Sequence, residues 1–223
     1  MGSILIFLLL VSGVGIRAYR DISRPEAWDY WKDQYFSPSL SSSVIVKADL
    51  GGGRALAVSG HIGPAAASWF HDRLNEAHLS PGDIVLLSSP GGNVDQALIM
   101  GETIRSRGLF TAVGVADDSG RIRPSYCASA CVLVFAGGQT RYGVEGSALG
   151  IHRFTNRTPV SDPVANTQRV AGMLLGYLTR MGVSSSVVEA MSQTSEIRWL
   201  GTQQAQAMNL ITNLITDPAR NRP

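Results

Sequence analysis

The sequence predicts an α/β protein, and three observations carry that reading. Short apolar runs of strand type alternate with segments of helical apolar periodicity from Ser43 onward. Glycine and proline clusters separate them, at Gly51-Gly52-Gly53, Pro81-Gly82-Asp83 and Pro90-Gly91-Gly92. The order is strand, strand, helix, then strand and helix again, which calls for crossover connections rather than a sandwich or a bundle. With 44% apolar and 16% charged residues over 223 positions, one large core is available and a disordered chain is excluded.

The chain begins with an apolar run, Met1 to Ile16, uncharged until Arg17. It is too apolar for a water-facing surface and a little short of the roughly 20 residues that span a bilayer. It reads as a transmembrane anchor completed by Ala18 and Tyr19; a cleaved signal segment and a buried helix are the alternatives. Arg17, Arg20 and Arg24 follow it and favour a cytoplasmic body. Residues 20–42 read as a connector, with an aromatic stretch, Ala27 to Phe36, and a serine-rich linker, Ser37 to Ser43. The globular domain is then 43–217, followed by a tail, 218–223.

Within that domain, Ser43–Leu50 and Arg54–Ser59 read as strands joined by the three glycines. Pro64 opens a helix that runs to His78, with Trp69, Phe70 and Leu74 on its apolar side. Ile84–Leu87 is a short run suited to a strand buried on both faces. A helix over Asn93–Arg107 carries the stripe Val94, Ala97, Leu98, Gly101, Ile104 and stops at Gly108. Leu109–Val115 is the next strand, then Ala116–Ser125 a polar loop, then Ser129–Ala136 an apolar helix. Arg141–Tyr142 and Ala148–His152 read as strands, and Val164–Met181, Ser185–Gln193 and Thr202–Met208 as helices.

Three stretches can carry chemistry. Ser88-Ser89-Pro90-Gly91-Gly92-Asn93 joins a buried strand to a helix, where glycines allow close approach of a ligand and free amides suit an oxyanion. No Gly-Lys-Ser/Thr follows, so it is not a phosphate-binding Walker loop. Cys127-Ala128-Ser129-Ala130-Cys131 precedes the most apolar helix and sets Ser129 at its start, either as a cap or as a nucleophile favoured by the free N–H groups. The two cysteines are either a bridge or a pair of buried thiols. Gly150-Ile151-His152-Arg153 ends a strand with the side chain best suited to general-base work near neutral pH.

In this order and spacing, SSPGGNVDQA, CASAC and GIH resemble the ClpP-type serine peptidases of the crotonase superfamily, and most of all a membrane-attached or periplasmic branch with cysteines on both sides of the nucleophile. The resemblance runs from about Val44 to Ile215. It implies stacked strand-strand-helix units, Ser129 as nucleophile and His152 as general base. It also implies the N–H groups of Gly92 and Ala130 as oxyanion hole, Gly91 and Val94 against the substrate main chain, and a peptide or protein as substrate. Val164–Met181 lies where the family builds subunit rings, so a homo-oligomer is implied. The match departs at the third triad position. The family's Asp before Arg-aromatic-Leu is Ile197 here, and the adjacent Glu196 is the expected substitute; Glu189, Asp162 or a dyad with no acid are the alternatives. A serine–lysine dyad is disfavoured, because the only lysines, Lys32 and Lys47, lie far from the motifs.

Other classes are disfavoured by composition. A net charge of +2 gives no support to nucleic-acid binding. Two cysteines without a matching histidine pair make a poor metal site, so no metal or cofactor is expected. Two rival functions remain. One is a non-catalytic scaffold of the same fold that binds extended peptides or partners. The other is an acyl-CoA enzyme using Glu102, in which the Ser129 and His152 pairing would be coincidence.

Overall fold

The computed structural model describes residues 2–45, 53–117, 119–154 and 162–215. The elements are α1 (Gly2–Ile22), α2 (Pro25–Trp31), a π-helical turn (Lys32–Phe36), β1 (Leu40–Ile45), β2 (Ala55–Gly60), α3 (Ala66–Ala77), β3 (Ile84–Ser88), α4 (Val94–Ser106) and β4 (Phe110–Val113). There follow β5 (Val115–Ala116), β6 (Ile122–Arg123), β7 (Tyr126–Ala128), α5 (Cys131–Ala136), β8 (Arg141–Val144) and β9 (Ala148–Ile151). The chain continues through α6 (Pro163–Arg180), α7 (Ser186–Ser192), β10 (Arg198–Leu200), α8 (Thr202–Ala207) and β11 (Asn213–Ile215).

Six strands form the main sheet in the order β1-β2-β3-β4-β8-β11. Only β1 runs antiparallel to its neighbour; the other pairs are parallel. The expected α/β class is therefore the observed one, with a mostly parallel sheet and crossover helices. The period-2 rule sorts the sheet's faces. Leu56 and Val58 of β2 and Val85 and Leu87 of β3 join the large core under α3, α4 and α5. Their neighbours Ala55, Ala57, Ile84 and Leu86 form a smaller cluster on the other face. A second sheet, β10-β9-β7, stands beside the first, with β7 parallel and β10 antiparallel to β9. The two sheets meet where β3 runs on past its end: Ser89 N–H donates to Tyr126 O at 3.1 Å and Ala128 N–H to Ser89 O at 3.0 Å.

α5 is wholly buried along its length. It is held from the side by Tyr177 of α6, whose hydroxyl donates to Leu133 O at 2.7 Å. That approach needs a glycine across the interface, because a Cβ on Gly101 would collide with the Tyr177 hydroxyl and lie 2.9 Å from Leu133 O. Arg141, also buried, donates to the carbonyls of Leu210, Gly138, Met181 and Asn209, so one guanidinium ties β8 to three loops.

Several expectations change. The N-terminal run does form a helix, α1, but among the described residues no helix is long and apolar enough to cross a membrane. The reason is length. Sixteen uncharged residues rise about 24 Å, against a hydrocarbon layer of about 30 Å, and Arg17, Arg20 and Asp21 fill the remaining turns. The expected transmembrane helix is corrected accordingly. The alternative of a buried helix does not hold either, since the described large apolar side chains from Ile4 to Ile16 are all more than half exposed.

The packed body starts before Ser43. Asp33, 7% exposed, accepts from Ala65 N–H at 3.0 Å and from Ser39 N–H at 2.8 Å, which pins the connector against the start of α3. Leu40 is already a core residue of β1. The expected strand from Ser43 to Leu50 lies outside the described residues beyond Ile45, as does the tail, 218–223.

The polar loop Ala116–Ser125 contains a small ribbon, β5 against β6. Asp117 organises it by accepting from the Ser119 hydroxyl and N–H, Arg121 N–H and Arg123 Nε. Those donors, the Ser119 hydroxyl first, hold the Asp117 carboxyl well below the usual carboxylate range.

Candidate active site

Ser129 sits between β7 and α5, close to the helix start as expected, though the helix itself begins two residues later, at Cys131. Its backbone lies in the left-handed region, φ 57°. A serine there costs about 1–2 kcal/mol and needs its surroundings to hold it. They do so with four ties. Ser129 N–H donates to Gly150 O at 2.8 Å, Val132 N–H donates to Ser129 O at 3.0 Å, and Ala128 is held to Ser89. The fourth is covalent: Cys127 and Cys131 are joined by a disulfide across the turn. The choice between bridge and thiols left open by the sequence is thus settled as a bridge.

His152, just past the end of β9, meets the serine. Its Nε2 lies 2.8 Å from Ser129 Oγ. Its Nδ1 lies 2.7 Å from the main-chain carbonyl of Arg153. A carbonyl can only accept, so Nδ1 carries the proton in the neutral ring and Nε2 is free to accept from the Ser129 hydroxyl. That tautomer is the one a general base requires. Phe154 lies beside the ring, with centroids 6.4 Å apart.

Gly91 and Gly92 form the opposite wall. Gly91 has φ 94°, and a Cβ there would meet Ala128 O at 2.6 Å, Ala130 N at 2.8 Å and Ser129 Cβ at 2.8 Å. Only glycine lets the two loops touch. The N–H groups around the serine are mostly taken: Gly91's by Ser89 Oγ at 3.0 Å, Asn93's by Ile62 O at 2.8 Å, and Ser129's by Gly150 O. Among the described residues, those of Gly92 and Ala130 have no acceptor, although Ala130 is fully buried. Unpaired buried N–H groups are rare, and the buried one here, on Ala130, and the half-buried one on Gly92 are the two positions the motifs single out.

Two expected site residues are placed otherwise. Val94 is not on a strand edge; it opens α4, where Asn93 caps the helix by accepting from Gln96 N–H at 3.0 Å, and its side chain packs on the core. Glu196 is exposed, and no hydrogen bond joins its carboxylate to His152; its main-chain carbonyl accepts from Thr194 Oγ1. Glu196 lies in the bend before β10, and it is Ile197, the next residue, that packs over β9 at Gly150. Glu189 and Asp162 are also not bonded to His152; Asp162 instead caps α6 through Ala165 N–H at 3.0 Å. Sequence reasoning missed the Arg153 carbonyl at the ring and the Thr194 carbonyl at Arg153 N–H, main-chain contacts that no side-chain pattern reveals. No group of three or more histidine, cysteine or acidic side chains with metal-binding geometry occurs among the described residues.

No protein-family model matches this chain, and no curated protein matches it. Solved structures do. ClpP1 from Listeria monocytogenes aligns with TM-score 0.57 at 13% identity, over 75% of this chain and 94% of that one. A mutant of the same ClpP1 gives TM-score 0.57 at 14% identity, over 74% and 92%. A mutant of the 1510-N membrane-bound stomatin-specific protease gives TM-score 0.52 at 15% identity, over 74% and 80%. The chain has a ClpP-like peptidase fold.

Proposed function

We propose that this chain is a serine peptidase that cuts peptide bonds through a Ser129 acyl-enzyme, with His152 as general base. The observation that carries the reading is the Ser129 Oγ to His152 Nε2 hydrogen bond of 2.8 Å, made from a left-handed turn beside two unpartnered N–H groups. Nε2 takes the hydroxyl proton as Oγ attacks the peptide carbonyl. The N–H groups of Gly92 and Ala130 receive the oxyanion, each worth about 3–4 kcal/mol to the transition state. As the C–N bond breaks, the imidazolium returns its proton to the leaving amine. Water, activated by the same ring, then releases the acyl group. Gly91 lets its loop close on the Ser129 turn, and the substrate main chain runs past Gly91 and Val94, the first residue of α4.

The test is labelling of the protein with a fluorophosphonate. Ser129→Ala and His152→Ala each abolish it; labelling that survives in either refutes the assignment. A second reading, a peptide-binding scaffold without turnover, is favoured by one observation: among the described residues no carboxylate is hydrogen-bonded to His152. Retained binding of extended peptides without any labelling of the wild-type protein selects it.

Membrane attachment is a further part of the proposal. α1 presents exposed apolar side chains from Ile4 to Ile16, followed by Arg17 and Arg20, a pattern that suits contact with a lipid surface. The 1510-N neighbour is itself described as membrane-bound. Co-sedimentation with lipid vesicles, lost when α1 is removed, is the expected result.

A further inference from the structure

An imidazole that acts as a base needs an acceptor on its second nitrogen, to fix the tautomer and the plane of the ring. Here that acceptor is the main-chain carbonyl of Arg153, at 2.7 Å. The carbonyl is itself held in place. Arg153 N–H donates to Thr194 O at 2.8 Å. Thr194 Oγ1 donates to Glu196 O at 2.8 Å, closing the turn that leads into β10.

β10 pairs with β9 through Arg198 with Ile151 and Trp199 with Gly150, and the pairing ends there, before His152. Ile197 lies over β9, since a Cβ on Gly150 would meet its Cγ2 at 2.7 Å. The side chain just before β10, packed on β9 at Gly150, is therefore hydrocarbon. The stretch 155–161, which follows the histidine and lies outside the described residues, contains no Asp or Glu.

We propose that Arg153 and Thr194 are positioning residues of a Ser129–His152 dyad, and that the Arg153 carbonyl stands in place of an orienting carboxylate. The proposal rests on the peptidase reading. Like a carboxylate, the carbonyl selects the Nδ1–H tautomer and aims Nε2 at the serine. Unlike a carboxylate, it adds no full negative charge opposite the imidazolium that forms in the transition state, so the dyad works with correct geometry and reduced electrostatic help.

The test uses the full chain and the fluorophosphonate labelling rate, with Ser129→Ala as the blank. Glu196→Gln, Glu189→Gln and Asp162→Asn, all exposed, are expected to label within about two-fold of the wild type, whereas removal of an orienting carboxylate lowers rates by orders of magnitude. Thr194→Ala is expected to slow labelling about ten-fold, and Thr194→Ser to restore it, because only the hydroxyl tie to Glu196 O differs between them.

Nitrogen-15 NMR of the histidine-labelled wild type is expected to show His152 protonated at Nδ1 and bare at Nε2, with that signature weakened in Thr194→Ala and recovered in Thr194→Ser. A drop of ten-fold or more in any of the three acid variants overturns the proposal while leaving the peptidase intact. So does an unchanged rate in Thr194→Ala, or an Nε2–H tautomer in the wild type. Absence of Ser129-dependent labelling in the wild type overturns the peptidase reading and this proposal together.

Discussion

Ser129 holds a backbone conformation that glycine would adopt more cheaply, yet only a serine there supplies a hydroxyl at the tip of the turn. The cost is tolerable because Gly91, facing it, has no side chain to push the turn away. Gly91→Ala is expected to cut fluorophosphonate labelling at least about 100-fold, the scale of losing oxyanion donors, with the circular dichroism spectrum retained. Ile197→Asp is expected to act in the opposite sense. It offers a carboxylate on the side chain that packs over β9 at Gly150, two residues before His152, and raises the labelling rate about ten-fold or more. At this scale the sequence was readable where function resides in side-chain types. Ser129, His152 and the paired glycines stand out in CASAC, GIH and SPGG. It was unreadable where function resides in main-chain atoms. Nothing in the letters at Arg153 or Thr194 announces that the carbonyl of the first meets the ring and that of the second holds Arg153 N–H, and Glu196 drew attention because it adjoins Ile197, where the resemblance puts an Asp.

Between elements, the contact of α6 with α5 carries a clear prediction. Tyr177 is 2% exposed, and burial raises its phenol above the ordinary value near 10. Above pH about 10 the unfolded chain loses this proton while the folded chain keeps it, so stability falls as pH rises from there toward the folded value. Arg141 runs the other way, since burial and the neighbouring Arg105 lower it to about 10. The effect is therefore read as a difference: denaturant unfolding between pH 9 and 11 should show a larger alkaline loss, by about 1.4 kcal/mol over that interval, in the wild type than in Tyr177→Phe. Gly101→Ala, which forces a methyl against the same hydroxyl, is expected to destabilise by about 1–3 kcal/mol in the same assay. The sequence marked both partners as helical apolar positions but not their meeting, since a contact between residues 76 positions apart leaves no local period. The three-residue strands β10 and β11 were missed for a related reason: they are too short to alternate visibly, and pairing rather than propensity defines them.

For the molecule as a whole, the disulfide and α1 make separate predictions. Both cysteines of the chain are bridged, so alkylation of the denatured, unreduced protein should add no label by mass spectrometry, and reduction should expose two sites. Such a bridge persists in an oxidising compartment and is reduced in a glutathione-rich one. The α/β class and the succession of strands and helices along the chain followed from alternation of runs and turns, whereas the true start of the packed body did not. Asp33 looked like one charge in a linker, and only tertiary structure reveals that it collects main-chain donors from Ser39 and Ala65. One feature of α6 bears on how the whole protein would behave with its own copies. Its inner side grips Leu133 through Tyr177, while Val164 and Leu175 stay exposed on its outside. A neighbouring copy seated on that outer side would press, through a single rigid rod, on the very segment that carries the nucleophile. Crowding of subunits and readiness to react would then rise together, so specific activity should climb with protein concentration rather than stay flat.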